Sequence, residues 1–380
     1  MSPKTATTPK TSLNDPKYWI GFSRVPGLGA VRFQALLDRF GTLASAWAAS
    51  RSELKEAGLS DSVIRAIVQE RDTADLDREM DRLADLSVRA LTWNDPSYPE
   101  LLKAIDDSPP VLYVRGEILP ADGLSVAVVG TRKPTPYGRQ VAEEMSHQLA
   151  VSGVTVVSGL ARGVDGIAHR AALAAGGRTL AVMACGLDMV YPPEHARLAT
   201  EIIENGAVIS EQPLGAQPRG DFFPRRNRIL SGLSLGTLVI EGDQKSGALI
   251  TADCANDQGR DVFAVPGSIF SPQSRGPNLK IQRSEAKLVI KVADILEELN
   301  LQAIPQQMEM QEMIPATDTE AELLRHMSKE PAHIDDLCRE SGLPVSAVSG
   351  LLTMMELRGL IKEVGAKAYV TSRSTVAHGG

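Results

Sequence analysis

The chain has 380 residues, 43% hydrophobic and 23% charged, and carries a formal net charge of −7. That length allows two or three domains with their own cores, and the acidic balance excludes blanket affinity for nucleic acid. Its three cysteines, Cys185, Cys254 and Cys338, lie far apart without CxxC spacing, which argues against a disulfide framework or a zinc cluster.

Met1 to Ser12 is polar and Thr-rich, unlike a signal peptide. No apolar run approaches the roughly 20 residues that span a bilayer. A cytoplasmic protein without membrane contact, metal or other cofactor is expected. Charge is uneven along it. Ser125–Ile290 holds 17 Lys/Arg against 15 Asp/Glu, a net of +2, whereas Asn14–Asp85 (10 against 12) and Thr319–Val370 (6 against 8) are each −2.

Residues 14–86 read as a domain of short helices. Val25-Pro26-Gly27-Leu28-Gly29 precedes a stretch that sets Val31, Ala35, Leu36 and Phe40 on one face, and Gly41 ends it. The turn resembles helix-hairpin-helix and SAM-like modules, whose amides can hold a DNA phosphate. Trp93–Asp122, interrupted by Pro99, Pro109 and Pro110, reads as connecting structure.

Strands are then expected at 126–129, 154–157, 179–184, 207–210, 237–240, 261–265 and 288–290. Helices at 138–151, 165–175, 194–205, 227–233, 248–258 and 292–299 alternate with them. Such alternation calls for an α/β fold, a doubly wound and mainly parallel sheet with helices on both faces, over residues 87–300. A linker is expected at 301–318. A winged helix over 319–371 follows from a helix at 320–327, one near 334–340, the turn Ser341-Gly342-Leu343-Pro344, a helix through Arg358 and a small hairpin. The tail beyond Ser372 is expected to be disordered.

Glycine, serine and arginine gather at the turns after the strands, which meet at one rim of a parallel sheet. These are Gly130-Thr131-Arg132-Lys133, Ser158-Gly159-Leu160-Ala161-Arg162, Phe223-Pro224-Arg225-Arg226-Asn227-Arg228 and Ser246-Gly247. Glycine lets amides approach an anion, helix N-termini add partial positive charge, and guanidinium groups fork onto phosphates. Phe222 and Phe223 among arginines favour unpaired bases over duplex DNA. As rim residues, Arg132 and Arg226 are expected to tolerate truncation to Ala with stability changed by no more than about 1 kcal/mol. The central segment alone, about 86–301, is expected to keep DNA binding and self-association.

No complete G-x-G-x-x-G or G-x-x-x-x-G-K-[ST] fingerprint is present, which weakens nucleotide readings. Asp165 and His169, four apart at a helix start, read as structural, since no third metal ligand is near. Cys185 reads as a buried thiol. Neither a triad nor a carboxylate pair can be assembled, so no catalytic residue is expected.

Together with Ala168-His169, Ser246-Gly247-Ala248-Leu249-Ile250-Thr251 and Val265-Pro266-Gly267, these motifs resemble the DprA/Smf family over nearly all of Tyr18 to Val370. The resemblance implies a SAM-like domain, an extended Rossmann domain and a winged helix, in that order. It also implies a non-enzymatic homodimer, joined through the Rossmann domain, that binds and protects single-stranded DNA in natural transformation and recombination. Such a protein helps load RecA recombinase onto the strand. Arg132, Phe223 and Arg226 would then contact DNA in a basic pocket. One departure is visible: Glu285-Ala286 stands where the family has Gly-Ala, and Lys280 interrupts its usual Leu-Ile. The runner-up is a Rossmann-like nucleotide hydrolase or phosphoribohydrolase, suggested by the Pro266-Gly267 turn. Few basic residues lie on the winged helix's expected recognition helix, 346–358, so protein contact there is as plausible as DNA reading.

Overall fold

The structure, a computed structural model, describes residues 15–301, 318–327, 332–357, 361–365 and 367–371. These fall into two compact units that divide at 302/303. Residues 302–317 of the expected linker, the end of the expected recognition helix and the tail after 371 lie outside the described residues.

The first unit opens with six helices: α1 (Pro16–Ser23), α2 (Ala30–Phe40), α3 (Leu43–Ala48), α4 (Arg51–Glu56), α5 (Asp61–Thr73) and α6 (Leu76–Asp85). Local signals set their ends. Asp15 caps α1, Ser50 and Glu53 form a capping box on α4, and Gly41, at φ +73°, stops α2. The buried face of α2 keeps Leu36 and Phe40 of the expected set but is turned toward Phe33 and away from Val31. Phe33 and Leu36 are buried, with Leu37 and Phe40 beside them, while Val31 is 81% exposed. Spacing of three, four and seven from Phe33 follows the helical period better than the set begun at Val31.

A nine-stranded sheet follows, in the order β1-β2-β6-β5-β4-β3-β7-β8-β9. Its strands are β1 (Val88–Thr92), β2 (Val111–Gly116), β3 (Ser125–Val129), β4 (Thr155–Ser158), β5 (Thr179–Met183), β6 (Gly206–Ser210), β7 (Gly236–Val239), β8 (Asp261–Ala264) and β9 (Lys287–Leu288). Pairings from β6 through β9 are parallel, and β1 and β2 run antiparallel at one edge. That edge corrects the reading of 93–122 as connecting structure. Pro109 and Pro110 precede β2, and the buried run Val111-Leu112-Tyr113-Val114 pairs with β1 on one side and β6 on the other.

The helices of this sheet are α7 (Glu100–Lys103), α8 (Pro136–Val151), α9 (Val164–Ala174), α10 (Ala196–Asn205), α11 (Phe222–Gly232), α12 (Gly247–Asp257), α13 (Arg275–Gln282) and α14 (Val292–Glu298). Helix α11 starts five residues before the expected 227. Pro224 is tolerated there because first-turn amides have no partner within the helix. One core joins Trp19, Phe22 and Phe33 of the N-terminal helices to Tyr113, Met183, Leu198 and Ile202. A second core, holding Val114, Val129, Val157, Leu180, Ile229 and Ala252, includes residues of α11 and α12.

The second unit comprises α15 (Asp318–Arg325), β10 (Ala332–His333), α16 (Ile334–Ser341), α17 (Val345–Leu357), β11 (Ile361–Gly365) and β12 (Ala368–Thr371). Its antiparallel sheet, ordered β10-β12-β11, and a core of Leu323, Leu337, Val348, Leu352 and Met355 give the expected winged helix.

Candidate nucleic-acid interface

From β3 the sheet is built through β4 and β5 to β6, and the chain then crosses back to place β7 on the other side of β3. Loops diverge at such a switch point and leave a crevice outside the strand ends. Here the turn after β3 meets the turn leading into α12. The crevice is lined by Gly130, Thr131, Arg132 and Lys133 from the first, by Lys245, Ser246 and Gly247 from the second, and by Phe223, Arg226 and Asn227 of α11.

Main-chain bonds fix these turns. The Thr131 amide donates to the Glu241 carbonyl at 2.7 Å, and the Val164 amide donates to the Thr131 carbonyl at 3.2 Å. Glu241 is buried and accepts from the Thr135 amide at 2.9 Å and hydroxyl at 2.6 Å. Gly163 has φ +78°, and a side chain there would meet the Thr131 carbonyl oxygen at 2.4 Å, so glycine is required on both counts.

Arg132 is exposed, with its guanidinium carbon 5.4 Å from the Phe223 ring centroid, inside cation–π range. Phe223 packs against Tyr191 with centroids 5.8 Å apart and planes at 60°. Lys133 and Lys245 are also exposed. Ser246 caps α12 through the Ala248 amide at 3.3 Å, and Asn227 donates to the Gly247 carbonyl at 3.2 Å. A cationic edge, an aromatic face and a helix N-terminus therefore share one crevice, which suits a phosphate chain.

Ten of the thirteen expected site residues line this crevice or the adjoining cleft that shares Arg132 and Phe223; Gly159 and Arg162 belong to the cleft. Arg162 is exposed and paired with Glu194. Ser158, Arg225 and Arg228 line neither. Ser158 is buried and donates to the Val128 carbonyl at 2.7 Å, tying β4 to β3. Arg228 is bound to Asp107 at 2.8 Å and Glu211 at 2.7 Å, and Arg225 is exposed on the first turn of α11.

Arg226 corrects the expectation of a dispensable rim charge. It is 5% exposed, and its Nη1 donates to the Gly159 carbonyl at 2.7 Å and also to the Val182 carbonyl. Behind it Asp165 is buried. Burial raises that carboxyl's pKa, and the Arg226 charge pulls the other way. Burial lowers the pKa of Arg226 itself. Arg226 thus holds the turns together from below.

Cys185 is buried, as read from the sequence, and His169, read there as structural, is buried as well. His169 Nδ1 lies 2.7 Å from Thr179 Oγ1, whose own proton goes to the Val156 carbonyl. Burial drives the imidazole down to about 3, so it is neutral, and burial pushes the Cys185 thiol up to about 11. Among the described residues no three His, Cys, Asp or Glu side chains gather to hold a metal. No helix among them is long and apolar enough to cross a membrane. Sequence reasoning missed Lys245, one residue before the Ser246-Gly247 motif, and Tyr191, which precedes Pro192-Pro193 without any local pattern to mark it.

A family model for DNA recombination-mediator protein A matches residues 89–300, and one for the DprA winged helix domain matches 309–367. Protein Smf of Synechocystis sp. is 32% identical over 389 residues, covering 93% of this chain and 98% of that protein. DNA processing protein DprA of Bacillus subtilis is 39% identical over 251 residues, covering 66% and 82%. The X-ray structure of DprA from Streptococcus pneumoniae superposes with a TM-score of 0.66 at 34% identity, over 74% of this chain and 97% of that one. A structure of DprA from Helicobacter pylori, solved for its single-stranded DNA binding mode, gives 0.51 at 30% identity, over 56% and 96%. Matched in both its units and sharing its frame with a solved member, the chain belongs to the DNA recombination-mediator protein A (DprA/Smf) family.

Proposed function

We propose that this protein binds single-stranded DNA along the β3/β7 crevice by its phosphate backbone, protects it, and helps load RecA recombinase onto it in the cytoplasm during DNA uptake and recombination. One observation carries the reading: Arg132 is held over Phe223 while Lys133, Lys245 and the amide end of α12 line the same crevice. The Helicobacter pylori relative, studied for its single-stranded DNA binding mode, supports it.

A non-catalytic role is part of this reading. A phosphoribohydrolase would need a carboxylate free to act beside the pocket. Asp165 is buried with Arg226 and accepts from the Ala161 amide at 3.3 Å, and Glu241 is engaged by Thr135. Self-association through the Rossmann-like domain is supported by apolar surface near the β8/β9 edge, where Ile269, Phe270 and Ile290 are 76%, 86% and 73% exposed.

The test is titration of labelled single-stranded oligonucleotide, with duplex and free nucleotides as competitors, at several salt concentrations. The single strand should win, and affinity should fall with a log–log slope of about −0.7 per neutralised phosphate. Tighter duplex binding or a salt-independent affinity would overturn the reading. The RecA role is tested by whether the protein speeds filament formation on the bound strand.

A further inference from the structure

Glu241 stands where the two lips of the crevice meet. It follows β7, and the chain runs on from it through Gly242 and Asp243 to the lip that carries Lys245, Ser246 and Gly247. The other lip, the segment 130–135 after β3, is tied to Glu241 at both ends. The Thr131 amide donates to its main-chain carbonyl at 2.7 Å. The Thr135 amide and hydroxyl donate to its two carboxylate oxygens at 2.9 and 2.6 Å. Arg132 and Lys133 lie between those ties, and both are exposed.

The chemistry at this junction calls for a carboxylate. Thr135 presents two donors, one to each oxygen, and an amide of the same shape would set its NH2 against one of them. The hydroxyl, having given its proton to Glu241, accepts from the Gly138 amide at 3.1 Å and so caps α8. The carboxylate charge lies at the N-terminal end of that helix, where the dipole favours it. The fit is close, since a Cβ on Gly138 would stand 2.1 Å from Oε2. At 1% exposure Glu241 cannot touch a bound strand. The second lip is anchored separately: the Gly242 amide donates to the Gln273 carbonyl at 2.6 Å, and the Gly242 carbonyl accepts from the Gly276 amide at 2.9 Å.

We propose that Glu241 is a positioning residue for strand binding, its carboxylate setting the spacing between the phosphate contacts of Arg132 and Lys133 on one lip and of Lys245 on the other. The proposal rests on the single-stranded DNA reading above. Without the carboxylate, the first lip keeps its tie at Thr131 and loses the one at Thr135. Its cations would then have to be ordered at the moment of binding, a cost that a pre-set geometry avoids.

The experiment is a double-mutant cycle on the full chain, read as affinity for a labelled single-stranded oligonucleotide at one salt concentration. Glu241→Gln should lower affinity roughly tenfold, the scale of one lost charge-assisted contact. In an Arg132→Ala/Lys133→Ala background nothing is left to position on that lip. The same change should there cost less than about twofold. A role in stability alone would lower the urea midpoint and leave the affinity of the folded protein as it was. Unchanged affinity in Glu241→Gln, or an equal loss in both backgrounds, would overturn the proposal. If Glu241→Gln does not fold, Thr135→Val, which removes the hydroxyl from the junction and keeps the amide, enters the same cycle with the same expectation. Wild-type affinity in the Arg132→Ala/Lys133→Ala variant itself would instead bring down the DNA reading.

Discussion

A methyl group placed on Gly159 would stand 2.1 Å from Nη1 of Arg226, the same nitrogen that holds the Gly159 carbonyl at 2.7 Å. The glycine and the arginine are parts of one joint, between the end of β4 and the second turn of α11. Arg226→Ala removes the cation beside buried Asp165 and frees two main-chain carbonyls. It should cost about 3 kcal/mol or more, as breaking a buried charge pair does. Urea unfolding checks this, and a cost under about 1 kcal/mol would return Arg226 to the exposed rim.

Arg132→Ala should behave in the opposite way. Its side chain is exposed, so stability should stay within about 0.5 kcal/mol. Single-strand affinity should fall roughly tenfold, the lower end of what a charge-assisted contact gives. Oligonucleotide titration alongside thermal melting separates the two effects. Unchanged affinity would remove Arg132 from the interface.

Lys245 was not legible as a contact but stands in the crevice beside Ser246 and Gly247. Lys245→Ala should lower the salt slope of single-strand binding by about 0.7, one phosphate's worth, with no change in melting. An unchanged slope would place the strand elsewhere.

His169 sets part of the acid limit of stability. Burial lowers it to about 3 from the ordinary 6.5, so the unfolded chain takes up a proton that the folded chain refuses. Its contribution is whole above pH 6.5 and is lost as pH falls from 6.5 toward 3. Urea midpoints across that window should fall less steeply in His169→Gln than in the wild type. Parallel profiles would assign the acid limit to other groups.

Removing residues 303–380 leaves the first unit whole. Single-strand affinity should remain within tenfold, or ~1.4 kcal/mol, of the full chain at one fixed salt concentration. A larger loss with the shortened protein still folded would move the DNA site to the winged helix.

The parallel strands from β3 to β8 were legible because each is a short, mainly apolar run closed by a turn signal. What escaped depends on partners distant in sequence. Strand β2 is defined by β1 and β6, and the burial of Arg226 by carbonyls at Gly159 and Val182. Ten of the expected residues could be gathered at one crevice and its cleft because glycine and arginine at strand ends carry a local signature, whereas Tyr191 joins Phe223 only through the fold. The departure from the family's pattern also resolves in space. Lys280 is 7% exposed and is bound to Glu285 at 2.6 Å and to Asp253, so one unusual residue answers the other.

The shared core of the N-terminal helices and the sheet bears on how the protein can be taken apart. Trp19 lies 6.0 Å from Phe33 and 5.8 Å from Trp93, centroid to centroid, and the same cluster reaches Tyr113 and Met183. A chain cut at Leu86 would bare one side of that cluster to water and leave Tyr113 and Met183 in search of cover. Such a fragment should clump, and its poor DNA binding would report on solubility. The smallest piece that can be asked about the strand begins at Asp15.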